Sequence, residues 1–223
     1  MKNLDNVSIT AIGSNAERYV KDLMEKGYHW DPLDENIFFA FVLVDFSNHT
    51  SDKAIKDFLF LAKVFKGIHP VLIDVPLGKS ILLLTKENFD SCLVIRQRNK
   101  ESIVLQFFKL FFNGIVRHGK VNLDDEDFYE FLKGTNFLSI HTYPFRDMLN
   151  EVSDEVGLLD LSYQGGNSFY FQTICHGDIY LHQELGILQR FIENGNQKSE
   201  LRWGFNYKSD ERYLCIMGVT NRI

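Results

Sequence analysis

Apolar positions in the first thirty residues follow a strand pattern and then a helical one. Val7–Ile12 is a short apolar run that ends at Gly13, and apolar residues then recur at helical spacing as far as Gly27. Ser14 and Glu17 stand three apart where the helical pattern begins, which predicts a capping box with Ser14 as the N-cap. The pattern therefore predicts a strand, a tight turn and a helix.

Four further apolar runs follow before residue 100, and a helical repeat separates the first two. The runs are Ile37–Phe46, Val71–Val75, Ile81–Leu84 and Cys92–Ile95. The first is almost continuously apolar, which is typical of a strand buried on both faces of a parallel sheet. The helix is predicted to begin at Ser51. Its predicted inner face consists of Ala54, Phe58, Leu61, Ala62 and Phe65. Strands alternating with helices predict right-handed β-α-β units and an α/β fold.

The most apolar helical pattern in the chain is Glu101–Arg117, which carries apolar residues on most of its circumference. A helix of this kind is buried on several sides. We interpret it as a central helix between two subdomains. The predicted organisation is an α/β subdomain over residues 1–100, a central helix over 101–118 and an α+β subdomain over 119–223.

The second half of the chain mixes strands and helices. Strands are predicted at Phe137–Thr142 and Ser168–Cys175, and helices at Asp124–Leu132, Phe145–Val156 and Leu181–Ile192. Pro144 is the predicted first residue of the second of these helices. Near the end, Glu200–Tyr207 and Arg212–Val219 are separated by the polar stretch Lys208–Glu211, which predicts a β-hairpin.

Composition narrows the function classes. The 223 residues are 45% hydrophobic and include 20 phenylalanines, enough for a large aromatic core. The net charge of −6 disfavours nucleic-acid binding. The cysteines Cys92, Cys175 and Cys215 predict neither a disulfide framework nor a zinc site. The apolar stretches are too short and too polar to cross a membrane, and the first residues do not resemble a signal peptide. We expect a cytoplasmic protein that binds neither nucleic acid nor membrane.

An ordered set of motifs in the second half carries a family resemblance. Phe89–Ile95 precedes the central helix, Gly119–Asp127 follows it, and later come Phe169–Thr173, Gly177-Asp178 and Trp203-Gly204-Phe205. Asn122 to Asp127 reads as an NxDxxD pattern. These motifs resemble FtsZ and its tubulin relatives. The resemblance implies a truncated nucleotide-binding-type parallel-sheet subdomain, a central helix and an α+β C-terminal subdomain.

The first half departs from that family in its glycines. The family has a glycine cluster after the first strand, where only Gly13 remains, and a GGGTGTG-type loop where this chain has residues 45–51 without glycine. Glycine-rich loops bind phosphate through bare backbone, whereas Phe46 and His49 add bulk and Asp45 adds negative charge. GTP is therefore not expected as a cofactor. The vestigial nucleotide site implied by the resemblance comprises Gly13, Ser14, Asn15, Asp45 and Ser47.

The acidic segment after the central helix matches the family better. In the family, the acidic loop of one subunit assists hydrolysis of GTP bound by the next. The resemblance implies a role in trans for Asp124 and Asp127 in positioning water, with Asn122 orienting the loop. No catalytic residue in cis is expected. The sequence leaves open the simpler reading that these residues cap a helix.

The function expected from this resemblance is that of a non-hydrolysing FtsZ/tubulin-like protein. It would bind a homologous partner and modulate its assembly, or self-associate as a dimer or oligomer. One alternative is a small-molecule-binding protein or enzyme that uses the crevice at Ser14, Asn15, Asp45 and Ser47. Another is a residual GTP-binding cytoskeletal GTPase. His176 and His182 fit no metal motif, so no metal is expected.

Overall fold

The computed structural model describes residues 2–4, 6–45, 51–65, 67–74, 89–95, 100–113, 124–144, 167–175, 200–207 and 213–221. The helices in these ranges are α1 (Ser14–Glu25), α2 (Ser51–Val64), α3 (Lys100–Phe111) and α4 (Asp125–Leu132). The strands are β1 (Lys2–Leu4), β2 (Val7–Ile12), β3 (Tyr28–Trp30), β4 (Phe39–Val44), β5 (His69–Asp74), β6 (Ser91–Ile95), β7 (Gly134–Pro144), β8 (Asn167–Cys175), β9 (Glu200–Tyr207) and β10 (Tyr213–Asn221).

Eight of these strands form one sheet in the order β2-β4-β5-β6-β7-β10-β8-β9. The pairs from β2 to β7 are parallel, β10 is antiparallel to both of its neighbours, and β8 and β9 are parallel. The α/β prediction and the mixed character of the second half are confirmed. The sheet runs from β6 directly into β7, although α3 and α4 lie between them in sequence.

The predicted terminal hairpin is wrong, because β9 and β10 are not neighbours. β10 lies between β7 and β8 and pairs with both along most of its length. β9 pairs instead with β8, in parallel. Insertion between β7 and β8 satisfies the backbone hydrogen-bonding groups on both edges of β10.

Both faces of β4 are buried, as its apolar sequence predicts. Phe39, Phe41 and Leu43 contribute to one hydrophobic cluster, and Ala40 and Val42 to another on the opposite face. α1, α3 and α4 supply the first cluster, and α2 supplies the second. A central strand buried on both faces fixes its register strongly, because a one-residue slip exchanges the two sets of side chains.

Aromatic packing holds α3 against the sheet. Phe107, Phe108 and Phe111 are almost completely buried, and their rings stand edge-on to Phe41 at centroid distances of 5.3 to 5.6 Å. Phe128 of α4 meets Phe111 at 5.2 Å. Edge-to-face pairs of this kind add roughly 0.5–1.5 kcal/mol each beyond the area they bury. This cluster anchors α3 and α4 on the same face of the sheet.

Two local predictions are corrected by the structure. Leu61 is 52% exposed, because the inward stripe of α2 consists of Ile55, Phe58, Leu59 and Ala62, and Leu61 lies on the other side of the helix. Pro144 ends β7 opposite Tyr213 and does not begin a helix. β6 pairs with β7 only as far as Leu138, so Pro144 lies where β7 is paired on one side and a missing N–H is tolerated.

Several predicted segments lie outside the described residues: Ile81–Leu84, Phe145–Val156 and Leu181–Ile192. In the part of the chain that the structure describes, no helix is long and apolar enough to cross a membrane.

Candidate functional site

The turn between β2 and α1 is made by Gly13. Gly13 has φ 99° and ψ 156°, a conformation that side-chain-bearing residues rarely adopt, and it occupies the N-cap position. The predicted capping box is wrong, because Ser14 is already the first helical residue. The cap residue is Gly13, which has no side chain to form a hydrogen bond. The N–H of Glu17 donates to the Gly13 carbonyl at 2.9 Å. The sharp turn requires glycine there, which moves the helix start by one residue.

Parallel pairing brings Asp45 to this turn. β2 and β4 are paired through Ile12 and Val44, so their carboxyl ends meet at one edge of the sheet. The N–H of Asp45 donates to the Ile12 carbonyl at 2.8 Å. A Cβ atom at Gly13 would lie 2.8 Å from Cβ of Asp45 and 2.9 Å from its carbonyl oxygen. The two backbones are therefore so close that position 13 accepts only glycine without rearrangement.

The Asp45 carboxylate lies against the N-terminus of α1. Asp45 is completely buried, and its Oδ2 accepts hydrogen bonds from Asn15 Nδ2 at 2.6 Å and from the Asn15 backbone N–H at 3.3 Å. A helix N-terminus attracts negative charge, since its first N–H groups lack partners within the helix. Asp45 supplies that charge from within the chain.

Three of the predicted nucleotide-site residues therefore meet: Gly13, Asn15 and Asp45. Ser14 is exposed beside them, and Ser47 lies outside the described residues. Sequence reasoning anticipated the negative charge of Asp45 but not its hydrogen bonds to Asn15. The strand topology could have predicted this contact, because polar residues that follow neighbouring parallel strands meet at one edge of a sheet.

The acidic segment begins α4. Asp124 is the N-cap, and its Oδ1 accepts a hydrogen bond from the Asp127 backbone N–H at 2.7 Å. The capping interpretation of Asp124 is confirmed. Asp124 and Asp127 are exposed, whereas Asp125 is partly buried. Burial and then the nearby charge of Asp124 raise the pKa of Asp125. Asn122 lies outside the described residues.

A polar cluster at the other end of the parallel strands connects α4 to the sheet. His69 Nδ1 lies 3.3 Å from Asp90 Oδ2, and the His69 ring stacks on Tyr129 of α4 at 3.9 Å between centroids. The Asp90 carbonyl accepts the N–H of Gly134 at 2.9 Å. Burial and then the Asp90 charge raise the pKa of Tyr129. Sequence reasoning missed this cluster, which holds the middle of α4 and the residue that begins β7 close to β5 and β6.

A cavity of about 370 Å³ opens between α1 and α3. Its lining residues are Tyr19, Asp22, Leu23, Glu25, Lys26, Glu101, Ser102 and Leu105. It does not include the residues of the crevice at Gly13 and Asp45, where the sequence placed the alternative small-molecule site. Within the described ranges, no group of three or more His, Cys, Asp and Glu side chains is arranged to hold a metal ion.

Comparisons with known proteins identify the fold. No family model and no curated protein matches the sequence. Among solved structures, an empty FtsZ dimer from M. jannaschii is 12% identical, with a TM-score of 0.67 over 95% of this chain and 87% of that one. CetZ2 from Haloferax volcanii, a GTPγS-bound protofilament, is 14% identical, with a TM-score of 0.59 over 91% and 70%.

A third solved structure extends this likeness to a TubZ protein. TubZ from Bacillus thuringiensis serovar israelensis, a GTPγS-form protofilament, is 11% identical, with a TM-score of 0.52 over 92% of this chain and 66% of that one. At such identities the likeness shows the fold alone. The chain has an FtsZ/tubulin-like fold.

Proposed function

We propose that this chain is an FtsZ/tubulin-like assembly protein that works without guanine nucleotide and associates with a homologous partner or with itself. The fold supports the relationship to cytoskeletal GTPases. The observation that carries the proposal is the position of Asp45. Its buried carboxylate occupies the N-terminus of the first helix, 2.6 Å from Asn15 Nδ2.

Electrostatics and space both oppose a phosphate at this position. A phosphate about 4 Å from the Asp45 carboxylate would be repelled by about 4 kcal/mol at an effective dielectric constant of 20. The attraction of an exposed helix dipole offers only about 0.3–1 kcal/mol in return. The close approach of Gly13 to Asp45 leaves no room for a ligand between them. A nucleotide would have to displace Asp45 first.

The acidic segment supplies the surface for association. Asp124, the N-cap, and Asp127, in the first turn of α4, are both exposed. In the family that this fold resembles, a matching segment meets the nucleotide of the next subunit. A chain that offers this segment and lacks the nucleotide can occupy one end of a head-to-tail assembly without extending it. It would therefore cap or modulate filaments of a complete homologue.

The first test is a titration of the full chain with a fluorescent guanine nucleotide, together with a phosphate-release assay. We expect no GTP hydrolysis and no saturable nucleotide binding up to millimolar concentrations. A Kd of about 1 mM corresponds to a binding free energy of only about 4 kcal/mol. A GTP-hydrolysing FtsZ assayed in parallel shows that both methods work. Micromolar binding by this chain would overturn the proposal.

The second test measures the effect of this chain on filaments of that FtsZ. We expect substoichiometric chain to lower the sedimented fraction of filaments. An Asp124→Asn, Asp127→Asn double variant should lose the effect, while a Lys21→Gln variant on the exposed side of α1 should keep it. If the double variant shortens filaments as well as the parent chain does, the acidic segment is not the contact.

A further inference from the structure

Helix α4 is too short to hold its own direction. It contains 8 residues, about two turns, and helices of that length are marginal in water without tertiary contacts. Phe128, Phe131 and Leu132 are buried in the hydrophobic cluster on this face of the sheet. Hydrophobic attraction has no preferred direction, so other contacts are needed to fix the angle at which α4 lies.

Tyr129 makes such a contact in the middle of α4. The centre of its ring lies 3.9 Å from the centre of the His69 ring of β5, and the two planes are inclined by 33°. Asp90 lies beside both residues. Its Oδ2 is 3.3 Å from His69 Nδ1, and its charge is, after burial, a cause of the raised pKa of Tyr129. Aromatic rings pair in preferred geometries, so this contact ties α4 to β5 in direction as well as in distance.

The surface that receives Tyr129 is itself fixed by the sheet. The His69 backbone N–H donates to the Phe38 carbonyl at 2.8 Å, and the ring centroids of these two residues lie 4.7 Å apart. The Asp90 carbonyl accepts the N–H of Gly134 at 2.9 Å. β5 and β6 are interior strands of the sheet, each paired on both sides. His69 and Asp90 therefore offer the tyrosine ring a rigid support.

A change in the angle of α4 at Tyr129 moves the acidic residues at the start of the helix. Asp124 precedes Tyr129 by five positions, which is about 7.5 Å along a helix axis. A tilt of about 20° displaces Asp124 by about 2.6 Å, several times the range of about 0.5 Å over which hydrogen-bond lengths vary. A partner that contacts the acidic segment therefore depends on the angle of α4.

We propose that Tyr129 is a positioning residue, whose contact with His69 fixes the angle at which α4 presents the acidic segment to a partner. This role rests on the proposed function, which assigns the acidic segment to association, whereas the contact with His69 does not. Lys133 does not share the role. Its Nζ lies 5.5 Å from the centre of the Tyr129 ring, but its ion pair, at 2.9 Å, is with Glu130 of the same helix.

Hydrogen–deuterium exchange of the full chain tests whether Tyr129 fixes α4. Tyr129→Ala should speed exchange of the α4 amides at least about tenfold and leave the β4 amides unchanged, because a helix can open locally while the core stays folded. Tyr129→Phe should exchange like the parent chain, since it keeps the ring that packs on His69. Phe60→Ala is the matched control, because it also removes an aromatic ring, but one that is 71% exposed on α2. Parent-like exchange in Tyr129→Ala would overturn the proposal.

Sedimentation of FtsZ filaments tests the consequence for a partner. Tyr129→Ala should raise the concentration of this chain that halves the sedimented fraction by at least about fivefold, and Tyr129→Phe should restore the parent value. His69→Ala should act like Tyr129→Ala, and the double variant should be no weaker than either, because both changes remove one contact.

The outcomes separate this role from the proposed function. Additive losses in the double variant, or a Tyr129→Ala variant with the full effect on filaments, would overturn the positioning role. A parent chain without effect on filaments would instead refute the proposed function, and the exchange rates would still decide whether Tyr129 fixes α4.

Discussion

Two helices of this chain begin against a carboxylate, and the two carboxylates come from different places. α1 receives Asp45, which is thirty residues away from Asn15 in sequence and completely buried. α4 receives Asp124, the residue directly before the helix, which is exposed. Both carboxylates satisfy N–H groups that a helix leaves unpaired at its start. The physics is the same at both sites, but the consequences for function differ.

The difference lies in what each helix end can still bind. A carboxylate delivered by a neighbouring strand occupies the anion-binding position of α1 inside the protein. A carboxylate delivered locally leaves α4 with exposed acidic residues that a partner can reach. We therefore propose that the N-terminal site is closed to an external phosphate, while the acidic segment remains available for contact. Substitutions at the N-terminal site should therefore change the free energy of unfolding more than substitutions at the acidic segment.

The largest effect is expected at Gly13, where the closed site is tightest. Gly13→Ala places a Cβ 2.8 Å from Asp45 and in a backbone conformation that alanine rarely adopts. The free energy of unfolding should fall by at least about 3 kcal/mol, from strain and the displaced Asp45 together. Gly27→Ala is the matched control, because Gly27 also has positive φ but nothing within 4 Å. Gly27→Ala should lower the free energy of unfolding, measured with urea, by only about 1 kcal/mol.

The next effect in size is expected from Asp45 itself. Asp45→Ala removes the acceptor of both Asn15 hydrogen bonds and leaves a buried space at the start of α1. Hydrogen bonds to charged groups contribute roughly 1.5–3 kcal/mol, so the free energy of unfolding should fall by about that amount. Asp45→Asn should lower the free energy of unfolding less, since the amide oxygen of the new side chain can still accept a hydrogen bond from Asn15. Equal stability of Asp45→Ala and the parent chain in urea would show that the carboxylate does not hold α1.

Sequence reasoning succeeded where a local pattern decides the structure. The buried run ending at Val44 has no alternative to a central strand, and Gly13 marks the turn that follows β2 because only glycine adopts its φ. Reasoning failed where distant segments compete. Ser14 satisfies the local rule for an N-cap, but Asp45 approaches from another strand and glycine takes the cap position. The rule cannot detect a residue thirty positions away.

The same limit explains two further corrections. The last two strands have the spacing of a hairpin, yet β10 pairs with β7 and β8, which the spacing does not reveal. Leu61 has the apolar character of an inner residue and lies outside. Apolar character predicts burial but does not say whether the same chain or another one provides the contact.

A smaller effect is expected at the open site. Asp124→Ala removes the side-chain acceptor of the Asp127 N–H, a cap whose loss costs about 1 kcal/mol. Asp124→Ser should restore most of that free energy of unfolding, since a serine hydroxyl also caps. Thermal or urea unfolding of the two variants gives the order, and an Asp124→Ser variant no more stable than Asp124→Ala would contradict the cap.

The smallest effect concerns Asp125, between the two capping partners. Burial and then the Asp124 charge raise the pKa of Asp125. A carboxyl group whose pKa is raised by folding binds its proton more tightly in the folded state, so its ionisation at neutral pH opposes folding. Asp125→Asn should therefore raise the free energy of unfolding at pH 7 by a few tenths of a kcal/mol, since the group is only partly buried.

The pH dependence distinguishes this cause from a change in packing. As the pH falls through the raised pKa, Asp125 of the parent chain takes up its proton in the folded state and comes to resemble asparagine. The stability difference between the two proteins should shrink toward about pH 4. In an Asp124→Asn background the difference at pH 7 should also shrink, because the second cause of the shift is gone. A difference that stays constant from pH 7 to pH 4 would mean that Asp125→Asn acts through packing, and that the exposed start of α4 tolerates its clustered charges without cost.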